Sequence, residues 1–69
     1  MYWIEFYGQS CDGSRAGPQK IEDAFPALET AIAEAERRAA ADVYFWGKAK
    51  SYQIKNAAQA IVHEANVRA

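Results

Sequence analysis

Only one stretch of this sequence has the period of a helix. Phe25, Leu28, Ile32, Ala35 and Ala39 recur at spacings of three and four, and Ala27 and Ala31 widen the stripe. A lone amphipathic helix must bury its stripe on something else. The segments before and after it alternate with period two, the mark of half-buried strands. The expectation is an α+β fold: one amphipathic helix packed on a small antiparallel sheet of three to four strands.

The elements follow from that frame. Residues 1–7 read as a strand, with Tyr2, Ile4 and Phe6 on one face and Trp3, Glu5 and Tyr7 on the other. Residues 8–18 are dense in turn formers and read as a loop, followed by a short strand at 19–22 with Ile21 inward and Lys20 and Glu22 in solvent. The helix is expected over 26–41, with Pro26 in its first turn, Asp23 as cap, and Glu34 and Arg38 as an i,i+4 ion pair. Residues 43–47 form an aromatic connector, and residues 51–64 a hairpin turning at 56–59. If Lys55 faces Ala60, then Ile54 faces Ile61 and Tyr52 faces His63; a slip of one residue turns Val62 inward. The turn lacks glycine, and Gln59 stands where one is usual. Residues 65–69 are expected to fray, and 1–69 to form a single domain.

Size sharpens the question of stability. A chain of 69 residues has a thin core, and domains this small usually carry a disulfide, a metal or a partner subunit. Cys11 is alone and cannot form an internal disulfide. The sequence shows no metal-ligand spacing and implies no cofactor. Self-association is what remains, and a homodimer is expected. No apolar run approaches the ~20 residues that span a bilayer, and the first residues lack a signal-like stretch, so a cytoplasmic protein without membrane contact is expected. Charge is uneven: residues 22–42 hold six acids against two arginines, and residues 43–69 hold four basic side chains against one acid.

Three stretches carry a resemblance. They are the aromatic strand Tyr2-Trp3-Ile4-Glu5-Phe6-Tyr7, the helix pattern from Phe25 through Leu28, Ala31 and Ile32 to Ala35, and the hairpin from Tyr52, Ile54 and Asn56 to Ile61-Val62-His63-Glu64. Together they resemble small bacterial proteins of unknown function with a strand–helix–hairpin (β-α-β-β) plan. That resemblance implies a fold and brings no activity with it. A more distant likeness is to small antitoxin-type domains with a partial double-stranded-RNA-binding fold, whose basic recognition features do not map here.

Candidate chemistry is sparse. Cys11 has no base or cation beside it in sequence, and reads as a plain loop thiol. His63 and Glu64 are strand neighbours and point to opposite faces, so the acid is badly placed to orient the imidazole. Glu29, Glu34 and Glu36 read as solubilising helix charge. Trp3, Tyr7, Phe45 and Trp46 exceed what a thin core needs and are the expected interface anchors. Lys48, Lys50 and Lys55 interleave with aromatics over 44–55, a composition able to hold phosphates and stack bases. The expected function is a non-enzymatic protein–protein interaction or structural module that self-associates. The alternative is a weak nucleic-acid or anion binder through 44–55, and the third reading is a small hydrolase.

Overall fold

The computed structural model describes residues 1–44 and 46–67. Strands β1 (Trp3–Gln9) and β2 (Arg15–Lys20), helix α1 (Leu28–Ala41), and strands β3 (Ser51–Lys55) and β4 (Ile61–Asn66) follow in that order. The four strands make one antiparallel sheet in the order β2-β1-β3-β4. Helix α1 packs on one face of it, against β1 and β3. This is the α+β architecture that the two periodicities demand. Among the described residues no helix is long and apolar enough to cross a membrane.

The alternation of β1 sets the core. Ile4 and Phe6 face the helix with no exposure, beside Tyr52 and Ile54 of β3, which lie directly opposite them. From the helix come Ala31, Ala35 and Ala39, one side chain per turn. Leu28 and Ile32 flank this line and are half-buried. The stripe is therefore centred on its small residues, which lets the helix backbone approach the sheet. A stack of Phe6, Tyr44 and Trp46, with ring centres 5.2 Å apart at each step, closes one end of the core. Gly8 makes room for it, because a Cβ there would collide with the Trp46 indole.

Several local expectations are revised. The loop after β1 is only five residues, Ser10 to Ser14, and the second strand starts at Arg15, earlier than 19–22. Turn formers hid it: Gly17 and Pro18 lie inside β2, where the register with β1 shifts between Phe6 and Gly8. Gly17, at φ +114°, packs so close to β1 that a Cβ would sit 2.8 Å from the Phe6 carbonyl oxygen. An edge strand tolerates this, since a proline there forfeits only an outward hydrogen bond. Helix α1 begins at Leu28, and its cap residue is Ala27, which gives no side-chain hydrogen bond. Asp23 does not cap; it accepts from Arg38 Nη2 at 2.9 Å. The hairpin takes the one-residue slip only beside its turn, at Lys55 and Ile61. Ile54 faces His63, Tyr52 faces Ala65, and a bulge restores Lys55 to Ile61. Residues 65 and 66 complete β4, and the Val67 N–H donates to the Lys50 carbonyl at 2.8 Å, so this end is tied down. Residues 68 and 69 lie outside the described residues.

Candidate functional site

One helix is about 10–12 Å across, and four strands span about 19 Å. The helix covers one face only in part, and the other face carries no element of the described chain. The odd-numbered residues of β1 and β3 stand there: Trp3, Glu5 and Tyr7, opposite Lys55, Gln53 and Ser51 in turn. Residues opposite one another share a face, so Lys20 of β2 joins Glu5, and Glu64 of β4 joins Gln53.

These side chains form one connected polar array. Lys55 Nζ lies 3.1 Å from Glu5 Oε2. The Tyr7 hydroxyl lies 3.2 Å from Glu5 Oε1 and 3.3 Å from Gln53 Oε1. Gln53 Nε2 donates to Glu64 Oε2 at 2.5 Å. The Arg15 guanidinium stacks 3.8 Å above the Tyr7 ring, a cation–π contact. Although no helix covers this face, Glu5 is only 5% exposed and Gln53 8%. Their neighbours' long side chains lie over them and exclude water. Burial raises the Tyr7 phenol above its ordinary value, and the Glu5 carboxylate adds to that rise by charge and by hydrogen bonding.

The expected interface residues separate into two groups. Trp3 and Tyr7 lie on the open face, half-buried. Trp46 is half-buried on the helix side, stacked on Tyr44, with its Nε1 donating to the Lys48 carbonyl at 3.1 Å. Phe45 lies outside the described residues. The three lysines do not converge. Lys48 Nζ donates to the Ala40 carbonyl at 3.0 Å, at the end of the helix. Lys50 precedes β3 and Lys55 ends it, which puts their backbones roughly 16 Å apart along the strand.

The remaining candidates stay apart. Cys11 is exposed in the β1–β2 turn. In that turn Asp12 accepts from the Ser10 and Ser14 hydroxyls and the Ser14 N–H, which hold its carboxyl far below the usual range. His63 faces the helix side and stacks on Tyr52 at 5.7 Å between ring centres, with Nε2 3.4 Å from the hydroxyl. Glu34 pairs with Arg37 and with Arg38 Nε at 2.8 Å, and these arginines lower its carboxyl to about 2. Glu29 and Glu36 lie exposed on the helix. Among the described residues no three His, Cys, Asp or Glu side chains gather as a metal site would need.

Two grooves flank the helix. One, of about 530 Å³, runs between β2 and the helix end, lined by Gln19, Ile21, Asp23, Arg38, Asp42 and Tyr44 among others. At Tyr44 the hydroxyl is buried and has no hydrogen-bond partner among the described residues. The other, of about 540 Å³, lies between the helix and β4, with Glu36, Ala39, Ala40, Tyr52, Ala65 and Val67 along it.

The sequence reading missed Glu5, Gln53, Glu64 and Arg15 as members of one array. Alternation alone gives the parity of Glu5 with Trp3 and Tyr7, and of Gln53 with Lys55. The register that joins the two strands is a long-range pairing and leaves no local signal. No protein-family model, no curated protein and no solved structure matches this chain.

Proposed function

We propose that the protein is a non-enzymatic protein–protein interaction module that works as a homodimer and presents the helix-free face of its sheet to a protein partner. The observation that carries this reading is the wired face itself. Tryptophan, tyrosine and arginine are the side chains that most often anchor interfaces, and Trp3, Tyr7 and Arg15 stand there together. Tyr7 is held from both ends, at its hydroxyl, whose one proton is shared between the Glu5 and Gln53 oxygens, and at its ring by Arg15. A side chain ordered in advance loses little entropy when a partner docks. Glu5 is already committed to Lys55 and Tyr7, which suits a fixed recognition element better than a proton-transfer group. A cytoplasmic setting belongs to the same proposal, and the exposed free thiol of Cys11 is compatible with a reducing compartment.

Equilibrium sedimentation over a range of concentrations tests the homodimer. The expected result is a mass approaching twice 7.7 kDa at high micromolar concentration. A single 7.7 kDa species throughout overturns it. The nucleic-acid alternative through Lys48, Lys50 and Lys55 loses support from their separation, and salt-dependent retention on a polyanionic resin that falls on Lys55→Ala would restore it.

A further inference from the structure

We propose that two copies of the chain join through the outer edge of β4, continuing their sheets across a twofold axis into one sheet of eight strands. This rests on the self-association proposed above and names its seam.

The two edges of the sheet are treated differently. Strand β2 carries the devices that block edge pairing: Pro18 without an N–H, a register shift beside Gly17, and exposed Arg15 and Lys20. Strand β4 reads Ile-Val-His-Glu-Ala-Asn, with no proline, lysine or arginine. It also exposes the two apolar side chains Ile61, at 53%, and Val62, at 39%. Strand β4 has a bulge too, at Ile61–Val62, and one charged side chain, Glu64, so it is the less guarded edge and the readier template for another strand.

The hydrogen-bond pattern shows which backbone groups are free. The Ile21 N–H donates to the Ile4 carbonyl, so Ile4 turns its backbone groups toward β2. Alternation then turns those of Tyr52 and Ile54, which lie opposite Phe6 and Ile4, toward β4. Ala65 and His63 use theirs on β3 in return. Glu64 and Asn66 lie in the other phase and present N–H and C=O outward.

The occupant is a second copy because, of the two edges among the described residues, only β4 lacks proline, lysine and arginine, and a second copy brings the same edge. Pairing two such edges uses both and closes the assembly, whereas a second open edge would propagate it. The seam also selects a register. Facing residues in an antiparallel pair share a face, so a twofold axis normal to the sheet passes through a residue. An axis at Glu64 sets two carboxylates opposite each other, which is unfavourable. An axis at Val62 leaves Ala65 and Asn66 unpaired. An axis at His63 sets His63 opposite its own copy and Val62 opposite Glu64 of the second copy, the bulge keeping Ile61 out of the regular ladder. Each helix covers β1 and β3, so the two helix axes come about four strand spacings, ~19 Å, apart on the same face. They do not touch. The grooves beside them merge into one cleft, floored by His63, Ala65 and Val67 from both copies, and the two open faces become one continuous platform.

The test is sedimentation of the full chain carrying Cys11→Ser, with circular dichroism to confirm folding. Val62→Glu adds two like-charge pairs per dimer and should raise the midpoint concentration of dimerisation about tenfold, while Val62→Lys, set against Glu64, should not. Glu64→Pro removes an outward N–H without breaking the β3–β4 ladder and should abolish the dimer. His63→Cys places two thiols on the axis, where facing Cα atoms are about 4.5 Å apart, and should give a disulfide-linked dimer under mild oxidant. A parent protein that stays monomeric overturns self-association and the seam together. A dimer indifferent to Val62→Glu and not cross-linked by His63→Cys overturns the seam alone, whether or not Glu64→Pro folds.

Discussion

Lys55→Met strands a carboxylate on the open face. The Glu5 side chain is 6% exposed and its ion-pair partner Lys55 is 23% exposed. Removing one partner of a fully buried ion pair costs roughly 3–5 kcal/mol, because the other charge is left uncompensated. Two features reduce that figure. Lys55 is wet enough for water to screen the pair, and the Tyr7 hydroxyl still donates to Glu5. The expected loss is about 1.5–3 kcal/mol, a large share of the ~3–10 kcal/mol that a domain of this length holds. Urea unfolding at pH 7, followed by far-ultraviolet circular dichroism, measures it. Adding Glu5→Gln to Lys55→Met should recover part of the loss, since a neutral amide leaves no stranded charge. Lys48→Met, which breaks only a contact to the Ala40 carbonyl, serves as the control. A loss below about 0.5 kcal/mol for Lys55→Met, as exposed pairs give, would refute the reasoning, because Glu5 would then be solvated and the face not pre-organised.

Four further outcomes follow. Ile54→Ala, at a site with no exposure, should cost about 2–5 kcal/mol by urea unfolding, and Leu28→Ala, half-buried, distinctly less; the reverse order would move the core toward the helix flank. Gln59 holds φ 66°, a left-handed conformation that penalises any Cβ, so Gln59→Gly should raise the thermal midpoint by the equivalent of up to about 1 kcal/mol; a lower midpoint would place the turn in another conformation. Tyr44→Phe removes a buried hydroxyl that has no partner among the described residues and should leave stability unchanged or raise it by about 1 kcal/mol, whereas a clear loss would show that the hydroxyl is satisfied. Glu34 falls from 4.5 to about 2 on folding, so its contribution is present above pH 4.5 and is lost as pH drops toward 2; melts at pH 7, 4 and 2.5 should show this loss weakened in Glu34→Gln, and an identical acid profile would refute it.

The parts of the fold legible in the sequence are those set by local period. The helix and its Glu34–Arg38 pair, the facing of β1, and the partition of Trp3 and Tyr7 from Ile4 and Phe6 all follow from spacings of two, three and four. Strand β2 was masked because Gly17 and Pro18 carry turn propensity, and an edge strand pairs on one side only. The helix stripe was weighted toward Leu28 and Ile32 by size, while close packing on the sheet favoured Ala31, Ala35 and Ala39. The hairpin register depends on a bulge and on Gln59 adopting the conformation a glycine would take, and neither shows in composition. The polar array was half legible: its parity within each strand could be read, but not the pairing that brings Tyr7 to Gln53 or Lys55 to Glu5.

The alanine stripe and the open β4 side are linked. Small side chains bring the helix close to the sheet, but they also narrow the cover it provides, to β1 and β3. The chain completes the β2 side itself: the Phe6–Tyr44–Trp46 stack closes over Gly8, and the Arg38–Asp23 ion pair ties the helix to the segment after β2. On the β4 side nothing equivalent follows among the described residues. His63 has Tyr52 for company, Ala65 and Val67 border an open groove, and Ile61 and Val62 are exposed at the start of the strand. A domain with so thin a core gains most from covering apolar surface where its own chain does not reach. The asymmetry therefore supports the seam proposed above, at β4, the less guarded of the two edges.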